Sequence, residues 1–321
     1  MGVDEKRPRG GADYPRNWSE FQAWFSGEAE CIAYLERLRW PDGFRCPSCG
    51  GARAWRTNRG LWVCAGCQRQ TSVTAGTIFD KTRTPLRTWF ATVWHVTGQK
   101  TGVSALGLQH VMGFSYETAW AHLHKLRRAM VRPGRDRLRG DVEVDETYVG
   151  GEEQGRVGRS TLKKAIVVIA IDSQAGQGLG RVRLDVVEDA SQASLEEFVQ
   201  RVVEKGSRVR TDAWSGYSRL VELGYDHVVI NVSNTGDPAH VAMPAVHQVA
   251  SLVKRWLLGT HQGSVALWHL PYYLDEYTFR FNRRRSRHRG LLFYRLLEQA
   301  VDVAPVTLHQ IRHPATPEIN I

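Results

Sequence analysis

Apolar and acidic residues alternate in one short stretch near the middle of the chain, Asp141–Gly151. Val142 and Val144 are apolar, whereas Glu143 and Asp145 are acidic. A period of two predicts a β-strand with one apolar face and one face that carries carboxylates. Carboxylates beside a buried sheet are costly unless they bind something. This pattern alone leaves two alternatives open: a solvated edge strand, and a strand that carries a binding site.

After residue 160 the chain alternates between strand and helix patterns. The stretch Lys164–Asp172, apolar from Ala165 to Ile171, predicts a buried strand. Residues 191–204 predict a helix, with Ser191 or Ser194 as its N-cap. The other predicted elements are strands at 179–188, 208–212 and 227–231, and helices at 218–223, 245–258 and 268–282.

From Asp141 onward the predicted order of elements is β-β-β-α-β-α-β-α. This is the order of an RNase H-like α/β fold, in which helices cover a mixed five-stranded sheet. The first and fourth strands of that fold are neighbours. Asp145 and Asp212 are therefore expected to meet at the centre of the sheet.

The first 140 residues contain helical patterns around a cysteine-rich stretch. Residues 27–39 have the spacing of an amphipathic helix. Three more helices are predicted at 86–97, 103–112 and 116–130. The last has Ser115 as its N-cap. A short helix, a glycine turn and a longer basic helix suit a DNA-binding helix-turn-helix, and equally an ordinary helical linker. Residues 1–17, rich in glycine, proline and arginine, are expected to be disordered.

Composition indicates the class of partner. Hydrophobic residues make up 42% and charged residues 24% of the 321 residues, as in globular proteins. The formal net charge of +10 favours a polyanionic partner such as nucleic acid. The longest apolar run, Ala165–Ile171, is far shorter than the ~20 residues of a membrane span. Residues 1–16 lack the apolar segment of a secretory signal, so a cytoplasmic location and no membrane partner are expected.

Four of the five cysteines stand in two C-x-x-C pairs. Cys46 and Cys49 form the first pair, and Cys64 and Cys67 form the second after fourteen intervening residues. Each pair directs two thiolates at one ion, and four thiolates are the closed tetrahedral set of structural Zn²⁺. Such a site has no open coordination position, so no catalysis is expected there. The fifth cysteine, Cys31, is expected to be a small core residue.

A second metal site is predicted at the two aspartates. Asp145 and Asp212 carry the oxygen ligands that Mg²⁺ prefers, and Mn²⁺ suits the same donors. Two such ions can clamp the attacking and leaving oxygens of an in-line phosphoryl transfer. A third ligand is expected from the helix at 245–258. There His247 and Lys254 are seven residues apart and share a face, so that Lys254 can hold a DNA phosphate.

Five distinctive stretches together carry a family resemblance. They are Tyr34–Gly50, Gln70–Phe79, Val142–Gly151, Lys254–Gly263 and Tyr273–Arg284. The chain resembles bacterial insertion-sequence transposases that have an N-terminal zinc ribbon and an ISXO-type DDE catalytic domain. The resemblance implies cleavage of double-stranded DNA at the element's terminal repeats and strand transfer to target DNA. It also implies a location at the bacterial nucleoid, and a homodimer or larger assembly on DNA.

The resemblance also implies roles for single residues. Asp145 and Asp212 are the first two acids of the triad, and His247 stands where the general pattern has glutamate. Lys254 follows seven residues later. In an alternative arrangement, His247 contacts a DNA phosphate while water or Glu143, on the same strand face as Asp145, completes the metal shell.

Two other functions stay open from the sequence. One is a structure-selective nuclease of the same fold. The other is a former transposase retained as a DNA-binding protein, which the histidine at position 247 favours and the intact aspartate pair opposes.

The predicted organisation has four parts. They are a helix plus zinc ribbon at 18–84, a helix-turn-helix-like region at 85–132, an RNase H-like transposase domain at 138–300 and a C-terminal tail at 301–321. Dense positive charge is relieved by a DNA backbone. The residues expected to contact DNA are Lys125, Arg127, Arg128, Lys254, Arg255, Arg283, Arg284 and Arg285.

Overall fold

The computed structural model describes residues 7–131, 134–150, 164–174, 178–230, 239–263 and 265–313. Residues 7–131 form helices α1 (Trp18–Trp24), α2 (Glu28–Arg39), α3 (Leu86–Gly98), α4 (Ala105–Met112) and α5 (Tyr116–Ala129). Between α2 and α3, the strands β1 (Ala54–Arg56), β2 (Trp62–Cys64) and β3 (Gln70–Thr71) pair antiparallel.

Both helices of the α4–α5 pair have capped N-termini, and the cap at Ser115 is the one that the sequence predicts. Ser104 caps α4 by accepting a hydrogen bond from Gly107 N, and Ser115 caps α5 by accepting one from Thr118 N. Gly113 ends α4 in the left-handed conformation, with φ of 69°, which a residue without a Cβ adopts at low cost. The two helices are therefore joined by a tight turn.

Residues 7–17 pack against the rest of their unit, so the expectation of disorder is wrong for them. Tyr14 is buried, and the hydroxyl of Tyr34 donates a hydrogen bond to the carbonyl of Asp13 at 2.8 Å. The aromatic side chain at position 14 supplies a buried contact that composition alone does not reveal. Residues 1–6 lie outside the described residues.

The second part of the chain contains a five-stranded sheet in the order β6-β5-β4-β7-β8. Its strands are β4 (Asp141–Gly150), β5 (Lys164–Gln174), β6 (Gly178–Val187), β7 (Arg208–Asp212) and β8 (Asp226–Ile230). β4, β5 and β6 pair antiparallel, whereas β7 is parallel to β4 and β8 is parallel to β7. This is the predicted mixed sheet of an RNase H-like fold.

Helices cover both faces of this sheet. They are α6 (Gln192–Val202), α8 (Pro244–His261) and α9 (Leu270–Asn282), and the short helix α7 (Ala239–Ala242) lies directly before α8. On one face, Leu195 and Phe198 of α6 pack on Val142 and Val144 of β4. On the other face, α8 and α9 pack on β5 and β6 in a second apolar cluster. Burial of both faces explains why β5 is apolar from Ala165 to Ile171.

One predicted helix is wrong. Residues 218–223 form turns, preceded by a 3-10 helix at Ser215–Tyr217. Tyr217 and Leu220 are fully buried in the cluster beneath α6. The chain therefore turns tightly to insert both side chains and does not complete a regular helix.

The C-terminal segment forms α10 (Arg289–Ala300) and α11 (Leu308–Arg312). The chain divides into two compact units, residues 1–130 with 285–321, and residues 131–284. α10 lies inside the domain predicted at 138–300, but it groups with the N-terminal helices in the first of these two units. Phe293 of α10 is fully buried and meets the ring of Phe21 edge-on at 5.6 Å. No helix within the described residues is long and apolar enough to cross a membrane.

Candidate active site and zinc ribbon

The parallel ladder between β4 and β7 sets the position of the two aspartates. Its register pairs Glu143 with Arg210. Asp145 and Asp212 each lie two residues further along, on the same strand face as Glu143 and Arg210. Both aspartates are partly exposed. The sheet thus brings them to the same end of neighbouring strands, as the sequence predicts.

Each aspartate is oriented by a backbone N–H group. Asp145 Oδ1 accepts a hydrogen bond from Glu146 N at 2.9 Å, and Asp212 Oδ1 accepts one from Trp214 N at 3.1 Å. The indole of Trp214 donates to the carbonyl of Ala190 at 2.9 Å, which fixes the turn after β7. Local bonds of this kind hold a short acidic side chain in one direction.

His247 lies in the first turn of α8 and faces Asp145. Its Nε2 is 3.8 Å from Asp145 Oδ2, and the two side chains are 31% and 18% exposed. Two ligands of one divalent ion lie about 3–4 Å apart when each is about 2.1 Å from the ion. The distance between the two groups therefore fits a shared ion. Lys254 is exposed on α8, two turns beyond His247.

The three predicted metal ligands, Asp145, Asp212 and His247, are not all equally close to one another. Within the part of the chain that the structure describes, only a set of cysteines brings three or more potential ligand atoms all within 4.8 Å of one another. Asp145, Asp212 and His247 do not form such a group. The structure thus pairs Asp145 with His247 and places Asp212 on the adjacent strand.

Glu143 has a different environment from Asp145. It is buried, and its Oε2 accepts a hydrogen bond from Val246 N at 2.9 Å. Burial raises the pKa of Glu143, and the N–H groups of Val246 and Ala245 oppose that rise. Its carboxylate therefore binds the start of α8, and the geometry gives no support to Glu143 as a metal ligand.

Tyr217 is a site neighbour that the sequence patterns do not reveal. It is fully buried, and its hydroxyl donates a hydrogen bond to Glu146 Oε2 at 3.0 Å. Burial raises the pKa of Tyr217 well above its usual value, and the carboxylates of Glu146, Asp145 and Asp212 raise it further. The hydroxyl stays protonated and supports the end of β4 from the face opposite Asp145.

The predicted DNA-binding residues differ in exposure. Lys254, Arg255 and Arg285 are exposed, and Lys125 and Arg128 are half-buried. Arg127 is only 1% exposed, so it packs inside its unit. This differs from the expectation that Arg127 contacts DNA.

Two further arginines cap α9 and do not project from it. The Arg284 guanidinium donates to the carbonyl of Gly180 at 3.0 Å and lies 4.0 Å from the centre of the Phe281 ring. Arg283 lies 4.1 Å from the centre of the Phe279 ring. Both guanidinium groups also donate to carbonyls near the end of α9, Arg283 to Phe279 and Arg284 to Phe281, as cations at a helix C-terminus commonly do.

The four cysteines of the two C-x-x-C pairs converge in the ribbon. The Sγ atoms of Cys46 and Cys67 are 3.5 Å apart, as are those of Cys49 and Cys64. Four sulfurs around one zinc are about 3.8 Å apart, so this cluster fits a Zn²⁺ ion with little change. The N–H groups of Cys49 and Ser48 lower the pKa of Cys46 to about 6, which favours the thiolate that zinc binds.

We expect purified protein to contain about one zinc ion per chain, and Cys49→Ser to lose it together with stability of the ribbon. The measurements are metal analysis and thermal unfolding of the full chain. Cys31→Ala is the control, because Cys31 is a buried cysteine of α2 outside the cluster and its loss should leave zinc bound. A full-length protein without zinc and with unchanged melting would contradict the prediction.

Comparison with known proteins agrees with this architecture. Residues 137–282 match the ISXO2-like transposase domain, and residues 26–70 match the transposase zinc-ribbon domain. The chain is 27% identical over 265 residues to an uncharacterized protein in transposable element ISH50 of Halobacterium salinarum. That alignment covers 74% of this chain and 86% of the relative.

Among solved structures, the catalytic core domain of BIV integrase is similar, with a TM-score of 0.30 and 13% sequence identity. The similarity covers 46% of this chain and 84% of that one. The two matched domains lie in the order that the cysteine pairs and the aspartate-bearing sheet occupy in the sequence. The chain therefore joins an N-terminal transposase zinc ribbon to an ISXO2-like transposase domain.

Proposed function

We propose that this transposase cleaves DNA at the terminal repeats of its insertion sequence and joins the freed 3′ ends to target DNA. The observation that carries the proposal is the approach of His247 on α8 to Asp145 on β4, at 3.8 Å, beside the strand that ends in Asp212. Two carboxylates and an imidazole on rigid elements make a suitable donor set for Mg²⁺ or Mn²⁺.

The side chains of this site have separable tasks. Asp145, Asp212 and His247 would hold the divalent cations. When bound, such ions activate the attacking oxygen and stabilise negative charge on the leaving oxygen. Lys254, exposed on the same helix face as His247, binds a phosphate of the DNA backbone, and Arg255 adds a second positive charge beside it. An attacking water, and then a 3′-hydroxyl, needs no covalent protein–DNA intermediate, so no side-chain nucleophile is assigned.

Recognition of the element's ends is assigned to α4 and α5. Capped helices joined by a left-handed glycine suit a helix-turn-helix, whose second helix enters the major groove. Tyr116 is 55% exposed at the start of α5, and Arg128 lies near its end. Binding of two ends at once calls for a homodimer or a larger assembly on DNA.

The test is a strand-transfer assay with the full chain. The substrates are duplexes carrying the DNA that flanks the coding sequence, either intact or pre-nicked at the end, with a supercoiled plasmid as target and Mg²⁺ or Mn²⁺ present. We expect cleavage at the end and covalent joining to the plasmid, and neither with a scrambled end. Cleavage without joining would indicate a nuclease, and binding without cleavage would indicate a retained DNA-binding protein.

A further inference from the structure

Glu143 is a buried acid that has no place in the function proposed above. Its side chain is 2% exposed, and it lies on β4 two residues before Asp145, on the same strand face. Its Oε2 accepts a hydrogen bond from Val246 N at 2.9 Å. This bond joins residues 103 positions apart in the chain and links the centre of the sheet to the first turn of α8.

The start of α8 needs an acceptor from outside the helix. Met243 occupies the N-cap position and makes no side-chain capping bond, and Pro244 follows as the first helical residue. Ala245 and Val246 are 6% and 1% exposed, so water has little access to their N–H groups. Unsatisfied N–H groups in the first turn are costly when buried. Glu143 supplies the missing cap, and its negative charge suits the positive end of the helix.

The same bond also sets the distance between two residues of the proposed site. His247 directly follows Val246, and its Nε2 is 3.8 Å from Asp145 Oδ2. Asp145 in turn lies two residues from Glu143 on one strand. A single strand therefore provides both the acid that faces His247 and the acid that anchors the helix carrying it.

We propose that Glu143 is a positioning residue, whose carboxylate holds the first turn of α8 so that His247 and Asp145 can bind one divalent cation. The inference rests on the proposed function, because it assumes that the two residues share an ion. A positioning role requires the length of the Glu143 side chain and an acceptor oxygen at its end. A metal-ligand role would require its charge.

Three substitutions separate length from charge. Glu143→Gln keeps the length and an amide oxygen that accepts the Val246 N–H, so metal affinity should stay within about threefold of the original protein. Glu143→Ala removes the acceptor, and Glu143→Asp withdraws it by one methylene. Each of the latter two should weaken metal binding by about 10- to 100-fold, as the loss of an outer-shell group commonly does.

The measurement is direct Mn²⁺ binding to zinc-loaded full-length protein without DNA, by electron paramagnetic resonance of free Mn²⁺. Circular dichroism and thermal unfolding verify that each variant is folded. Glu196→Ala is the matched control, because Glu196 is also buried and lies on α6, which packs on the opposite face of the sheet. Its Oε1 accepts a hydrogen bond from Gln192, one turn earlier on the same helix. Its Mn²⁺ affinity should not change.

A double-mutant cycle tests whether Glu143 acts through His247. If it does, Glu143→Ala combined with His247→Ala should bind Mn²⁺ no more weakly than His247→Ala alone. Additive losses would overturn the proposal, and so would a Gln variant that binds as weakly as the Ala variant. If Glu143→Ala does not fold, the Mn²⁺ affinities of Glu143→Gln and Glu143→Asp are compared instead, and equally weak binding by both would overturn the proposal.

The outcomes also distinguish this inference from the proposed function. Mn²⁺ binding that is lost in Asp145→Asn but unchanged in Glu143→Ala and Glu143→Asp would refute the positioning role and leave the metal site intact. Mn²⁺ binding that is unaffected by Asp145→Asn would refute both, since no site would then exist for Glu143 to organise.

Discussion

Asp145→Asn and Asp212→Asn are each expected to abolish end cleavage and strand transfer, by at least about 10³-fold, while DNA binding remains. Asparagine has nearly the same shape as aspartate but no charge. Its side-chain oxygen can still accept the N–H of Glu146 or Trp214, so the local fold should persist. What is lost is an anionic oxygen for the cations, and electrostatic stabilisation of the transition state is commonly the largest catalytic contribution.

Single-turnover cleavage of a pre-nicked end, with gel-shift binding measured in parallel, checks this prediction. Asp226→Asn is the matched control, because Asp226 lies on edge strand β8 in an exposed ion pair with Arg208. Exposed pairs of this kind contribute little to stability, so the control should cleave normally. Residual cleavage within tenfold of the original protein in either variant would remove that aspartate from the proposed site.

The second large effect is expected at His247. His247→Ala should reduce cleavage by more than about 100-fold with either Mg²⁺ or Mn²⁺, because a lost direct ligand costs more than a lost outer-shell group. His247→Glu should instead lower the Mg²⁺ concentration needed for half-maximal cleavage. It restores a third carboxylate, and Mg²⁺ prefers oxygen donors, whereas imidazole is more favourable for Mn²⁺.

Cleavage rates measured over a range of Mg²⁺ and Mn²⁺ concentrations distinguish the two possible roles of His247, a metal ligand and a contact to a DNA phosphate. The control is Gln248→Ala, because Gln248 is the next residue on α8 and is exposed. A His247→Ala protein whose metal dependence matches the original, with only weaker DNA binding, would assign His247 to a DNA phosphate and leave the third ligand to water.

Much of the five-stranded sheet is predictable from the sequence because its signals are local. Val142 and Val144 alternate with acids, which identifies β4. The run Ala165–Ile171 is apolar because both faces of β5 are covered. The order of these elements then predicts that Asp145 and Asp212 lie on neighbouring strands. The cysteine spacing predicts the cysteine cluster for the same reason, since the two cysteines of each C-x-x-C pair lie within four residues of the chain.

The features that escape prediction depend on contacts between distant parts of the chain. The sequence around Glu143 does not indicate that this residue caps α8. Met243-Pro244 does give a usable signal, because a helix that starts with proline and lacks a polar N-cap needs a hydrogen-bond acceptor from elsewhere in the chain. Arg127 and Arg284 look like DNA contacts because charge pattern does not show which arginines are buried or stack on aromatic rings.

The helix α10 has a consequence for how the protein is made. Phe293, which completes the aromatic core around Phe21, Phe25 and Phe90, leaves the ribosome only after residues 131–284 have been synthesised. Domains whose sequence is continuous can fold during synthesis, in order from the N-terminus. Here the unit that begins at the N-terminus emerges first, but it is completed last, because it also needs residues 285–321. A nascent chain stopped before α10 contains Asp145, Asp212 and His247 but lacks the phenylalanine that closes the core of its N-terminal half.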